Sequence, residues 1–309
     1  MLKRWRIAPM LITMAMLGVL ISACGATTGG STTATPTASS GSTTTANCAS
    51  GSLRTGGSTA LGPLVQAVSK TYSAKCSGAS ITTQLTGSGA GQSGVYSGSL
   101  DVGNSDVFAK STYPGLVDHQ VAIVVFAVII SPDVTGVSNL TSKQLTDIYT
   151  GKTTNWKQVG GPSEPIAVVS RPAGSGTRAT FQQFVMNGTA ESVSGPSHST
   201  AATSGEVATR VQQTKGAIAY DTVHFATVKS LKTISIDGAA PTATNAISNT
   251  YKFWNVEHMY TKGEASGLAK AFIAYIAGPD AASSRQTLGF VDISQASASI
   301  LATRKPVSK

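Results

Sequence analysis

The stretch "SRPAGSGTRATF" (Ser170–Phe181) places Arg171 just ahead of Gly174-Ser175-Gly176-Thr177, with an apolar pair, Phe181 and Phe184, following. Glycine lets a ligand approach the backbone, while hydroxyls, first-turn amides and a guanidinium all donate. Such a set can be aimed at one small anion. Gly57-Ser58-Thr59 and Gly87-Ser88-Gly89 repeat the same residue types at two more junctions between a strand and a helix. Serine and threonine cap helices everywhere, so capping alone explains any single junction. Three junctions together with one arginine and one acid point further. The acid is Asp106 in "GNSD", directly after a small-residue strand end; taken alone, it reads equally well as a turn-capping aspartate. Charged residues are only 12% of the 309, about half the usual share, so each charge carries weight.

Other chemistries find little support. "GAGQSG" (Gly89–Gly94) fits the dinucleotide pattern GxGxxG, but too few residues remain before "LDVGNSD" for the helix of a dinucleotide unit. "GKT" (Gly151–Thr153) has the end of a phosphate-binding loop, yet Thr146 occupies the position that must be glycine. No GxSxG elbow is present, and His119, His198, His224 and His258 lack metal-ligand spacing. No catalytic residue, metal or cofactor is therefore expected. The formal charge is +9, but Lys and Arg form no long block and are not interleaved with aromatics. Nucleic acid is not an expected partner, whereas a modest positive field suits an anion.

Along the chain, apolar runs alternate with helix-period segments, the pattern of α/β architecture. "SLRTGG" reads as a strand, followed by a helix presenting Leu61, Leu64, Val65, Val68 and Tyr72 on one face. "ITTQL" and "SLDVGNSD" continue the alternation. "VAIVVFAVIIS" (Val121–Ser131) is the most apolar run after the N-terminal segment and reads as a buried strand. In "LTSKQLTDIYTG", Thr141 and Gln144 match a capping box and Gly151 stands where a helix C-terminus wants glycine. The strand "PIAVVS" feeds the arginine motif. A helix through Phe181 and Val185, another around Val207 and Val211, the strand "GAIAYDTV" and the amphipathic helix "ASGLAKAFIAYIAG" complete the pass.

Lys3, Arg4 and Arg6 precede an apolar stretch from Ile7 to Ile21, too short for a comfortable membrane span and read as an export signal. It ends in Ile21-Ser22-Ala23-Cys24, which resembles the lipobox of bacterial lipoproteins and implies cleavage after residue 23 and a lipid on Cys24. An ordinary signal peptide with an incidental cysteine is the alternative. Residues 24–47 are rich in Gly, Ser, Thr and Ala and carry no charge, so they form a flexible tether. With Cys24 lipidated, Cys48 and Cys76 remain as a pair in an oxidising compartment. A disulfide is the natural reading, and two free thiols the other one.

Four segments, "GGSTALGPLVQAVSKTY", "GSGAGQSGVYSGSLDVGNSD", "LTSKQLTDIYTGKTTNWKQVGG" and "VVSRPAGSGTRATFQQFV", together resemble the phosphate-binding proteins of bacterial ABC transporters. The resemblance runs from about Ser52 to Phe290. It implies a type II periplasmic-binding-protein fold, two α/β lobes with the ligand in the cleft between them. Lobe 1 is expected at 48–129 plus 248–309 and lobe 2 at 130–247, with hinges in "VVFAVII" and near Tyr251. Carried over by position, Ser58, Thr59 and nearby amides hold phosphate oxygens and Ser88 donates. Asp106 accepts a proton from the ligand, and Arg171 with Ser175, Gly176 and Thr177 donates from the opposite lobe. Phosphate at neutral pH still carries a proton and sulfate does not, so a buried carboxylate facing sulfate would be repelled and unpaired.

The family usually has an acid two residues after the arginine, where this chain has Ala173. That makes the site more positive by one charge, or leaves Arg171 to pair elsewhere, for instance with Asp106. The expected protein is a monomeric, lipid-anchored phosphate receptor on the outer face of the cytoplasmic membrane, delivering to an ABC permease and catalysing nothing. A receptor for another tetrahedral oxyanion, of the sulfate, molybdate or tungstate type, is the alternative; a secreted phosphate-ester hydrolase is a distant one.

Overall fold

Strands and helices alternate through the described part of the computed structural model, residues 48–192 and 194–305; the export signal, Cys24 and the tether lie outside the described residues. The first strands are β1 (Gly51–Gly57), β2 (Ala79–Leu85), β3 (Val102–Ser105), β4 (Leu116–Ile130) and β5 (Asn139–Leu140). Then come β6 (Ala167–Ser170), β7 (His198–Thr200), β8 (Ala217–Thr222), β9 (Lys232–Ile236), β10 (Trp254–Lys262) and β11 (Phe290–Val291). The helices that matter for the site are α1 (Gly62–Lys75), α2 (Ser88–Ser97), α3 (Ser142–Tyr149), α4 (Gly176–Phe184) and α5 (Ser204–Gln213).

Hydrogen-bonded neighbours run β2-β1-β3-β10-β4-β8-β6-β7. The β1 pairings with β2 and β3 are parallel, as are those of β6 with β7 and β8. β4 joins the two groups. Its residues Leu116–Val125 pair antiparallel with β10, while Phe126–Ile130 pair antiparallel with β8. Val121 through Ile130 are all buried, as a strand covered on both faces must be. The strand begins five residues earlier than its apolar run, because "LVDHQ" is half-covered and pairs with β10.

Local chemistry sets the helix starts. Thr141 and Gln144 form the capping box of α3 reciprocally, and Gly151 takes a positive φ of 76° just beyond it. Cys48, ahead of β1, is disulfide-bonded to Cys76 at the end of α1. Leu61, Leu64, Val65, Val68 and Tyr72 turn into the core, as their helical spacing requires. The glycine-rich GxGxxG run lies inside α2, a helix of ten residues. Its glycines are there for close approach: a Cβ on Gly91 would stand 2.6 Å from the Asn104 carbonyl and 2.8 Å from that of Gly56. The helix thus lies flush on β1 and β3.

Candidate anion-binding site

The N-terminal ends of α1, α2, α4 and α5 meet at one buried place, beside the ends of β1, β3 and β6. Helix N-termini carry unpaired amides and the positive end of the dipole, so their convergence alone favours an anion. Ser58, Thr59, Ser88, Asp106, Arg171, Ser175 and Thr177 are all buried there.

Asp106 is the hub on one side. The Ser58 hydroxyl donates to its Oδ1, and the Thr177 hydroxyl donates to Oδ2 at 3.0 Å from the opposite half of the sheet. Ser58 Oγ also accepts the amides of Ala60 (3.1 Å) and Leu61 (3.0 Å), which starts α1. The single Ser58 proton is therefore spent on Asp106. Ser88 Oγ accepts the Asp106 amide at 3.1 Å, and its own proton has no acceptor among the described residues. Gly176, at the first turn of α4, is required by space: an added Cβ would lie 2.8 Å from Asp106 Cβ and 2.9 Å from Oδ2, and closer still to Ser88 Oγ. Ser175 caps the same helix by accepting the Arg178 amide at 3.3 Å.

Arg171 is the hub on the other side. Nη2 donates to Thr59 Oγ1 at 2.9 Å and to the Ala202 carbonyl at 3.2 Å, Nε to the Ala201 carbonyl at 3.1 Å, and Nη1 to Ser204 Oγ at 3.3 Å. The Ser204 amide donates to Thr59 Oγ1 at 3.2 Å, closing the knot between α5 and the start of α1. No carboxylate pairs with Arg171 among the described residues, so the guanidinium is held by neutral acceptors. Arg178 supports it from behind, donating to the Arg171 carbonyl at 2.7 Å and lying 3.5 Å from the buried Glu191. Ala173 lines a cavity of about 350 Å³ together with Lys110, Tyr113, Ser175 and Arg171 itself.

Three functional groups were not foreseen. Ser204 bridges Arg171 and Thr59. Asp221 is fully buried at the end of β8, where burial pushes its carboxyl up to about 8, opposed by the Thr222 amide, Arg171 and Ser204. Glu257 is fully buried in β10, where burial and the neighbouring Asp106 hold it well above the usual carboxylate range. Burial also raises Asp106, against the hydrogen bonds from Ser58 and Thr177 and the charge of Arg171. A carboxylate within a largely apolar run, "AIAYD" or "FWNVE", in a chain with 14 acids, is the signal that could have found two of the three.

Among the described residues, no group of three or more His, Cys, Asp or Glu could hold a metal ion. No helix among them is long and apolar enough to cross a membrane.

Two groups of parallel strands joined through one long strand, with helix N-termini converging on a buried cationic and hydroxylic site, define a substrate-binding protein of the type II periplasmic class. A family model for the PBP superfamily domain matches residues 42–280. The phosphate-binding protein PstS of Bacillus subtilis (strain 168) is 41% identical over 236 residues, 75% of this chain and 77% of that protein. A phosphate ABC transporter substrate-binding protein from Clostridium perfringens, solved with bound phosphate, superposes with a TM-score of 0.74 at 30% identity, covering 79% of this chain and 100% of the other. An ABC-type phosphate transport receptor from Vibrio cholerae gives a TM-score of 0.64 at 26% identity, with 77% and 99% covered. The chain belongs to the PBP superfamily, and within it to the family of these phosphate-binding proteins.

Proposed function

We propose that this protein is an extracytoplasmic receptor that binds inorganic phosphate and hands it to an ABC permease. The observation that carries the reading is Asp106: a buried carboxyl already held by Ser58 and Thr177, facing the hydroxyls and amides around Arg171. Such an acceptor suits an anion that brings its own proton, and it disfavours fully ionised sulfate. Relatives named as phosphate-binding, and one solved with phosphate in place, support the same ligand.

In this reading Thr59, Ser88, Ser204 and the first-turn amides at Gly176 and Thr177 donate to phosphate oxygens, and Arg171 supplies the charge; the Thr177 hydroxyl, like that of Ser58, orients Asp106. Residues 48–129 with 248–309 form one lobe and 130–247 the other, with β4 and the return near Tyr251 as hinges. The Tyr251 hydroxyl donates to the Phe126 carbonyl at 3.0 Å, where β4 passes from one group of strands to the other, which ties the two crossings together. Phosphate closes the lobes by making contacts that only the closed state offers. A lipid on Cys24 and the tether keep the receptor near its permease. Binding and release need no covalent step, so the protein is a carrier and not an enzyme; multiple-turnover release of phosphate from a phosphomonoester would contradict that.

Calorimetric titration of the purified, ligand-stripped protein with phosphate tests the reading. One-to-one binding that Arg171→Ala weakens by at least about a hundredfold is expected, since the anion loses a charged donor in a buried site. Absence of phosphate binding by the unaltered protein sinks it.

A further inference from the structure

Glu257 lies in the middle of β10, fully buried, and neither of its carboxyl oxygens receives a hydrogen bond from a protein donor. The strand register places it at the end of β3. β10 pairs antiparallel with β3 through Tyr260–Gly103, Met259–Asn104 and His258–Ser105, where β3 ends. Glu257 precedes His258 across an irregularity in β10, Asp106 follows Ser105, and the two carboxyl groups interact. Ionised, both are acceptors only; contact between them is a hydrogen bond only when one holds a proton.

The surrounding donors decide which one. Asp106 receives the hydroxyls of Ser58 and Thr177 and feels Arg171. Glu257 has no such support. From the elements packed around it, β4 places Ala122 opposite Glu257 and turns Asp118 to His258 at 2.7 Å, on the neighbouring position. Helix α2 carries no charged residue, and its Tyr96 is exposed. Helix α4 offers Thr180, bonded to Asn255, while its Arg178 is turned to the Arg171 carbonyl and Glu191. Arg171 and Asp221 stand beyond Asp106, across the site.

Resting on the phosphate reading above and deepening it, we infer that Glu257 is a protonated carboxylic acid that donates to Asp106 and thereby keeps Asp106 an ionised acceptor for the ligand's proton. Burial without a donor holds the Glu257 proton well above the ordinary carboxylate range. Glu257 is a positioning and specificity residue; it does not touch the anion. Were Asp106 itself to take the proton, it would become a donor and lose its preference against fully ionised oxyanions. Alkaline loss of the Glu257 proton sets a second negative charge against Asp106 and the bound anion, so affinity falls as pH rises through that titration.

The test compares the purified protein with Glu257→Gln, which keeps a donor but cannot ionise, and Glu257→Leu, which loses the donor. Phosphate and sulfate are titrated calorimetrically from about pH 6 to about pH 10. The infrared stretch of protonated carboxyl groups is recorded without ligand. Glu257→Gln is expected to bind phosphate within about threefold of the unaltered protein at neutral pH and to lack its extra alkaline loss of affinity. Glu257→Leu is expected to lose at least about tenfold of the preference for phosphate over sulfate. Part of the protonated-carboxyl band should vanish in Glu257→Gln. An unchanged alkaline limb in Glu257→Gln, or an unchanged infrared band, overturns the inference whatever the ligand. A band that vanishes as expected in a protein that binds no phosphate leaves the Glu257 proton standing and overturns the phosphate reading instead.

Discussion

Adding a single methyl group at Gly176 should lock the two halves of this protein apart. Gly176 has no positive φ, so its backbone suits alanine, and the first turn of a helix accepts Ala at least as well as Gly. The constraint is space across the site. Each near atom that a Cβ would meet, Ser88 Oγ, Asp106 Cβ at 2.8 Å and Asp106 Oδ2 at 2.9 Å, belongs to the β1–β3 side, whereas Gly176 starts α4 on the β6–β8 side. Ordinary contact begins at 3.4 Å, so the sides must part by at least about half an ångström, more at Ser88. The Thr177–Asp106 bond at 3.0 Å and the bond from the Gly89 amide to the Gly174 carbonyl at 2.9 Å then stretch to or past the limit of a useful hydrogen bond. Losing both, one of them to a buried carboxyl, costs about 3 kcal/mol, or about a hundredfold in phosphate affinity. Calorimetry reads the affinity, and small-angle scattering reads whether phosphate still shrinks the protein. Gly176→Ala with phosphate affinity and compaction like those of the unaltered protein would refute the reasoning.

Asp221 keeps its proton in the folded state up to about 8, against 3.8 in an unfolded chain. A raised folded pKa adds stability at low pH that is lost as pH climbs, by about 1.4 kcal/mol per pH unit between the two values. Asp221→Asn should remove this falling slope, as seen by urea unfolding at several pH values; identical slopes would contradict the assignment. Cys48 and Cys76 close a loop with a sequence separation of 28, so replacing both with serine should lower stability by about 3 kcal/mol, measured by urea unfolding without reductant.

The local structure of the arginine motif was legible because its parts are neighbours in the chain: Arg171, Ser175, Gly176 and Thr177 leave one strand and enter one helix. The α3 capping box and the buried half of β4 were legible for the same local reason. Glycine-rich α2 was legible only at its start, Gly87-Ser88-Gly89; with no apolar period, its course and its close approach to β1 and β3 come from the packed structure. The strands β9 and β10 went unread, and with β10 went Glu257. Ser204, Asp221 and Glu257 reach the site from three separate elements, so no spacing links them. Ala173 looked like a lost counter-charge. The fold instead surrounds Arg171 with hydroxyl and carbonyl acceptors.

Titration of phosphate and sulfate into the unaltered protein and into Asp106→Asn, side by side, tests the central claim most directly. The account predicts that the unaltered protein binds phosphate and ignores sulfate. It also predicts that Asp106→Asn, which puts an amide where the ligand's proton must be accepted, weakens phosphate and lets sulfate in. Equal phosphate binding by both proteins, or a preference for sulfate in the unaltered one, would contradict it.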